Sequence, residues 1–564
     1  MTDRTNQLIN PADLAAVVRK RPHGNLEPRG YTGIVPPGTT QPQDPGRFGR
    51  MFPFLPAHQE DRGDLEQLGN PAPAGSGLMV DDGTVADSPI PSGFTYLGQF
   101  IDHDITFDPT SSLDKQNDPK ALSNFRTPRL DLDSLYAGGP ADAPFLYDRD
   151  DPDKFLLGPS NHTGSFDHPS PDAAGDLPRN SQDLALLGDP RNDENLIVAQ
   201  LHRLFLKFHN RVVDWLRGKH TAAPLVFTTA QQLVRWHYQW IVVNDYLPRI
   251  VGKPIVQDIL THGRRFYRFF QRPFMPVEFS VAAFRFGHSM VRDDYRFHRA
   301  GPPATSRPFP TASLSLFFRF TRTNTTAVDW ILHPDDWENF FETNPGTAPV
   351  MARAIDPRLA AILAHLPNLG AGAGPTSLAT RNLLRGLVMG LPSGQAVAQH
   401  MATRVPGIVP LTAAEIAAFD PSGFLQTSGL AASTPLWFYL LLEAQLREGG
   451  VRLGPVGGRI VAEVLLGLIQ GDRNSYLNLP PAPALRVPLR IRDLGDLAAL
   501  SRAEALTVSL PAGPPIVPIA NITAPLLRPN FANLLASFRR WRPTLPAATA
   551  GTFTMVDLIA FANR

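Results

Sequence analysis

The chain has 564 residues, 43% of them hydrophobic, enough for one large domain or two or three ordinary ones. Its 53 Lys and Arg against 52 Asp and Glu leave a net charge of +1, which argues against nucleic acid or an acidic membrane as the main partner. There is no cysteine, so disulfides, Cys-ligated zinc, iron–sulfur clusters and thiol catalysis are excluded.

The N-terminus lacks a basic start followed by an apolar core, so no classical signal peptide is expected. The most apolar short run, Ile460–Ile469, is well below the roughly 20 residues that span a bilayer. The expectation is a cytoplasmic protein without a transmembrane segment. Proline is abundant, at 57, and dense in the first 90 residues and between 140 and 190. That density limits helix and suggests ordered arms laid over a core. The expected division is an N-terminal Pro/Gly-rich arm (1–90), a core (91–475) and a C-terminal extension packed on it (476–564).

In chain order, Pro11–Lys20 reads as a short helix with Pro in its first turn. From Gly93 the pattern turns helical and ends near Asp104, and residues 107–193 are mostly loop. Glu194–Gly218 carries the strongest helical period, with Leu196, Leu201, Leu204, Phe205, Phe208 and Val212 on one stripe. Thr229–Gly252 is predicted as a second long helix stopped by Pro248, and Pro276–Phe297 as a third. Further helices are predicted near 349–366, 376–389, 412–419, 435–448 and 455–470. Period-two strands are scarce, and the fold class is mainly α.

Position decides what the 15 His can do. In "YLGQFIDHDITFDPT" (Tyr96–Thr110), Gln99 and His103 are four apart and share a helix face, with Asp102 and Asp104 on either side. A polar helix end and an active site are both open. His288 follows Gly287 in "FRFGHSMV", and a core histidine and a ligand are both open. His202 and His209 lie two turns apart, about 10 Å, too far for one small ion, so they read as structural. In "TPRLDLD" (Thr127–Asp133) oxygen-bearing side chains at Thr127, Asp131 and Asp133 suit a hard cation or an acidic surface loop. "LLGDPRNDEN" (Leu186–Asn195) sets Arg191 and Glu194 at the mouth of the long helix, with Asp residues suited to capping. The basic-aromatic His262–Pro273 could face an anion or be a solvated helix face.

Taken in order, six segments resemble the animal-type haem peroxidases of the peroxidase–cyclooxygenase superfamily. "GQFIDHDITF" is similar to the distal-histidine motif, "TPRLDLDSLYAGG" to the calcium loop, and "GDPRNDEN" with "LHRLFLKFHNRVV" to the distal-arginine segment and the helix behind it. "VRWHYQWIVVNDYLPRIVG" resembles the helix that follows, "AAFRFGHSMV" the proximal-histidine segment, and "RNLLRGLVMGLPSGQAV" the segment carrying the proximal asparagine. The likeness covers roughly 90–470. It implies a single large haem peroxidase domain of the myeloperoxidase-like type with Pro-rich terminal arms. The missing cysteines and signal peptide suggest a bacterial branch.

The resemblance implies that His288 ligates haem iron and that Asn382 accepts its other N–H. It makes His103 the acid–base group, served by an ordinary imidazole pKa near 6.5, with Arg191 stabilising charge and Gln99 orienting water or an anion. Arg285 and Arg385 would meet the haem propionates. Asp102 and Glu194 match the positions that esterify haem, so haem b and ester-linked haem both remain open. Asn195 stands where members with a third link carry Met. Calcium would be held by Asp104, Thr127, Arg129, Asp131 and Asp133. The expected activity reduces hydrogen peroxide and oxidises a small organic donor, halide or pseudohalide. The alternative is a fatty-acid dioxygenase, which needs Tyr where Arg285 stands. A non-enzymatic haem- or calcium-binding protein would have lost His103, Arg191 or His288, and all three are present.

Overall fold

The structure, a computed structural model, describes residues 48–107, 126–158, 176–298 apart from 183, 222 and 270–272, 311–319, 332–366, 374–478 apart from 473, 543, 545 and 552–563. The helix expected at Pro11–Lys20 lies outside them. Ten helices of eight residues or more occur among the described residues: α1 (Arg62–Gly69), α2 (Gly93–Ile105), α3 (Leu196–Gly218), α4 (Val226–Ile241), α5 (Lys253–His262), α6 (Leu378–Val388), α7 (Gly394–Ala402), α8 (Leu436–Glu448), α9 (Pro455–Gly471) and α10 (Met555–Ala562). Strand is confined to three two-stranded sheets. The mainly α expectation therefore holds, and no described helix is long and apolar enough to cross a membrane.

Helix α3 is the central rod. Its predicted stripe is fully buried, and Asn195 caps its first turn by accepting a hydrogen bond from the Val198 N–H at 3.0 Å. Helix α2 docks on it through Phe100, whose ring stacks on Phe205 at 4.7 Å between centroids. On the far side α10 packs along α3, with Phe561 edge-on to Phe208 and Met555 N–H bonded to Asp245. Close approach on the other flank of α2 requires Gly98, because a Cβ there would sit 2.6 Å from the Tyr246 hydroxyl.

Three predicted helices take another form. Pro248 does not stop the second one: α4 passes into a π-helical turn at Val242–Tyr246, and helix resumes at Leu247–Val251 with Pro248 in its first turn. The wider turn and the new helical start together accommodate the missing proline N–H. Pro276–Phe297 is not one helix. A π-helical turn (Glu278–Ala282) breaks at Ala282, a 3-10 helix follows (Ala283–His288), and Asp294–Arg296 is a strand. Near 349–366 stand a strand (Met351–Arg353) and a 3-10 turn (Ala361–Ala364), with Pro357 between them. Residues 263–269 of the basic-aromatic segment are loop rather than a helix face. The N–H groups of Arg265, Phe266 and Tyr267 bind the buried Glu463 carboxylate, and Arg264 lies over Phe269.

Glu278 fastens the segment before α1 to the turn that leads to His288. Its buried carboxylate accepts from Met51 N–H at 2.9 Å and Phe52 N–H at 3.1 Å. Glu278→Ala strands both donors, so it should cost about 2–6 kcal/mol and lower the thermal midpoint. An unchanged midpoint by calorimetry would show that the strap is not held there.

Candidate active site

The distal half is built by α2 and the 3-10 turn Pro190–Asp193. Along α2, Gly98, Gln99 and Asp102 keep accessible surface while neighbours such as Phe100 and Ile101 have none. The spacing of 98, 99 and 102 makes one stripe of the helix, and His103, 5% exposed, lies beside it. Arg191 crosses the C-terminal end of α2. Its Nη2 donates to the carbonyl oxygens of His103 (3.1 Å) and Thr106, and to Asp189 (2.9 Å). Its guanidinium also lies over the Phe107 ring. Glu194 is partly accessible at the entrance to α3.

The proximal half repeats this pattern. In Ala283–His288, Arg285, Gly287 and His288 are only partly buried, among buried neighbours. A Cβ on Gly287 would meet no heavy atom within 4 Å. Open space therefore faces this segment deep inside the molecule. His288 Nδ1 is 2.8 Å from Asn382 Nδ2 on α6, and the Trp437 ring stands edge-on to the imidazole at 6.4 Å. Arg385 lies near enough to Arg285 to lower its pKa, though burial lowers it more.

The two halves meet electrostatically at Asp102. Burial raises its pKa, while Arg191 from the distal side and Arg285 from the proximal side oppose the rise. Both imidazoles are held neutral. Burial first, then the charge of Arg191, brings His103 down to about 3; burial and Arg285 bring His288 to about 3. The ordinary pKa near 6.5 expected for His103 is thus corrected, because it sits buried beside a fixed cation.

A second correction concerns Asn382, expected to accept the His288 N–H. A guanidinium can only donate, and Arg285 takes the Asn382 oxygen, so the amide nitrogen faces His288.

Behind α2, Asp104, Asp131 and Asp133 bring carboxylate oxygens within 4.8 Å of one another. Leu132 adopts a left-handed conformation (φ 57°), which turns Asp131 and Asp133 toward the same point, and its N–H binds Asp104. Thr127 joins the group, with Oγ1 2.6 Å from Asp131 and N–H 3.2 Å from Asp133. Arg129 contributes its N–H to the Thr127 carbonyl oxygen inside the same turn. Burial pushes the Asp104 carboxyl well up, and Asp133 and Asp131 push it further. At this spacing each charged pair repels by about 3 kcal/mol at an effective dielectric of 20. Arg126, paired with Asp133, offsets part of this repulsion, and a bound cation would offset more.

Three residues of this site carry no sequence signal of their own. Asn192 Oδ1 is 2.8 Å from His103 Nδ1, and Asn192 Nδ2 is 2.9 Å from His202 Nδ1. Asn195 caps α3 and also donates to Gln99 Oε1 at 2.9 Å, so the Gln99 amide nitrogen is left for the cavity. These pairings cross between elements. His209 is structural as expected, bonded to Tyr136 and the Asp153 carbonyl.

The family model "Animal haem peroxidase" matches residues 114–479, more than half of the chain, and the chain belongs to that family. The match starts beyond α2, so Gln99, Asp102, His103 and Asp104 lie ahead of it. Thyroid peroxidase of Canis lupus familiaris is 27% identical over 297 residues, covering 51% of this chain and 29% of that protein. Peroxidasin of Drosophila melanogaster is 24% identical over 310 residues, covering 54% and 19%. The chain thus spans under a third of the length of these two relatives. Among solved structures, peroxidase A of Dictyostelium discoideum aligns with a TM-score of 0.53 at 17% identity, covering 78% of this chain and 89% of that one. A fatty acid alpha-dioxygenase of Oryza sativa aligns at 0.50 and 14% identity, covering 73% and 72%. These likenesses place the chain in a mainly α, single large peroxidase-fold domain. The suggested bacterial branch is overturned: the matched relatives are animal peroxidases such as thyroid peroxidase and peroxidasin. A lack of cysteine does not mark a branch.

The residues present fit a haem. The site offers open space at Gly287, a neutral imidazole at its edge, and buried arginines suited to carboxylates. Filling that space while sparing the packing gives a direct test. Gly287→Val should leave the thermal midpoint of the haem-free protein within a few degrees and weaken haem uptake at least about tenfold, or 1.4 kcal/mol. Unaltered uptake in a haem titration would place the group elsewhere.

Proposed function

We propose that the protein is a haem-dependent peroxidase that reduces hydrogen peroxide and oxidises small organic donors, halides or pseudohalides. The observation that carries this reading is the pair of neutral imidazoles, buried His103 and partly accessible His288, each beside an arginine that also acts on Asp102. Bound haem would supply the iron centre at which the peroxide bond is cleaved.

His288 would hold the iron through Nε2. Arg285 and Arg385 would meet the haem carboxylates, and Asn382, 2.8 Å from His288 Nδ1, would fix the orientation of the ring. His103 Nε2 would take a proton from one peroxide oxygen and hand it to the other. A base must be neutral to accept, and burial together with Arg191 keeps His103 so. The positive field of Arg191 favours charge building on the departing oxygen. Gln99 turns its N–H toward an anion or water. Asp102 and Glu194 are both partly accessible, which keeps ester-linked haem open beside haem b. Calcium held by Asp104, Thr127, Arg129, Asp131 and Asp133 would relieve the carboxylate repulsion and brace α2 from behind. The dioxygenase reading loses support at Arg285, which bonds to Asn382 and the Ser280 carbonyl where that chemistry needs a phenol.

Three measurements test this. Haem-loaded protein should show a Soret band and oxidise a phenol or bromide when given peroxide, and acid–acetone extraction reports whether haem is covalently held. Fatty-acid oxygenation without peroxidase turnover would sink the proposal. His103→Ala should keep haem and slow the peroxide reaction by on the order of 10²–10⁴. Chelation of divalent cations should lower the thermal midpoint, and Asp131→Asn should blunt that response; indifference to chelator argues against calcium.

A further inference from the structure

We propose that Asn192 and His202 are positioning residues that fix which nitrogen of His103 carries the proton. This rests on the peroxidase reading, since it is in taking a proton from peroxide that a free lone pair on His103 Nε2 matters.

Asn192, in the turn Pro190–Asp193, is fully buried, and His202, one turn and a half into α3, is 1% exposed. The carboxamide bridges the two imidazoles, with Oδ1 at 2.8 Å from His103 Nδ1 and Nδ2 at 2.9 Å from His202 Nδ1. An amide oxygen only accepts and an amide nitrogen only donates. His103 must therefore carry its proton on Nδ1, which leaves Nε2 unprotonated. His202 must leave Nδ1 bare to receive the amide N–H. A half-turn of the carboxamide would reverse both ends together. The proton would then move to His103 Nε2, and the base would be lost.

The three side chains are thus one coupled unit with two hydrogen-bonded arrangements, of which one serves catalysis. His202 holds the far end of that arrangement by accepting the Asn192 amide N–H. A carboxylate in place of the amide would also accept from His103 Nδ1–H, so Asn192→Asp is the conservative replacement. Leucine at the same position offers nothing.

The test uses haem-loaded protein carrying ¹⁵N-histidine, in the diamagnetic ferrous carbon monoxide form, with the His103 signals assigned by their loss in His103→Ala. Two-bond ¹H–¹⁵N correlation spectra read the protonated nitrogen, and stopped-flow mixing with peroxide reads the rate of the ferric form. Wild type and Asn192→Asp should both show the proton on Nδ1 and react within about threefold of each other. Asn192→Leu and His202→Phe should show Nε2-protonated imidazole in part or whole, and react at least about tenfold more slowly, within the range a positioned base contributes. Wild-type His103 protonated on Nε2 overturns the proposal even if no variant folds. So do Leu and Phe variants that keep both the Nδ1 proton and the wild-type rate. A wild-type spectrum with the proton on Nδ1 but no peroxide reaction would support the hydrogen-bond assignment and overturn the peroxidase reading instead.

Discussion

The site depends on one buried carboxylate, Asp189. It accepts from Arg126 Nε at 2.8 Å and from the Arg191 backbone N–H, Nε and Nη2. Arg126 also reaches Asp133 of the acidic loop, and Arg191 also reaches the end of α2. One side chain with no exposure therefore ties the acidic loop, the Pro190 turn and the distal helix together. Burial alone would push this carboxyl up, but Arg191 and Arg126 outweigh it and hold it ionised. Removing one member of such a buried group leaves uncompensated charge, a loss of about 3–5 kcal/mol. The orientation of Arg191, and through Asn192 the surroundings of His103, rest on that anchor.

The same electrostatic arrangement recurs at both histidines. His103 is buried and His288 partly so, and each has an arginine close by, Arg191 for His103 and Arg285 for His288. Burial and a nearby cation disfavour the imidazolium together. The two roles proposed for these histidines, proton acceptor and metal ligand, both need a neutral ring. Burial raises the Asp102 carboxyl, and both arginines oppose that rise, so the one side chain responds to both histidine neighbourhoods.

Much of the scaffold was legible because it follows from local periodicity. The stripe on α3 is apolar at helical spacing and is buried as read, and Gln99 and His103 are four apart on α2 as their spacing requires. What local pattern missed was backbone irregularity. Pro248 reads as a stop, but a π-helical turn just before it lets the helix resume. The segment before His288 has helical composition, yet it changes pitch at Ala282. Such changes of pitch depend on packing from elsewhere in the chain, here on Glu278 holding Met51 and Phe52.

The partners of the candidate catalytic groups were illegible for a different reason. Asn192 lies 89 residues from His103, and Asn195 lies 96 from Gln99. In sequence both asparagines sit in a run whose ordinary explanation is helix capping, and Asn195 does cap α3. A capping residue uses only its side-chain oxygen, so a carboxamide has its nitrogen to spare. Asn195 spends that nitrogen on Gln99, something an ionised Asp cap could not do. Asparagine rather than aspartate at this cap therefore serves two groups at once, the first turn of α3 and the Gln99 side chain.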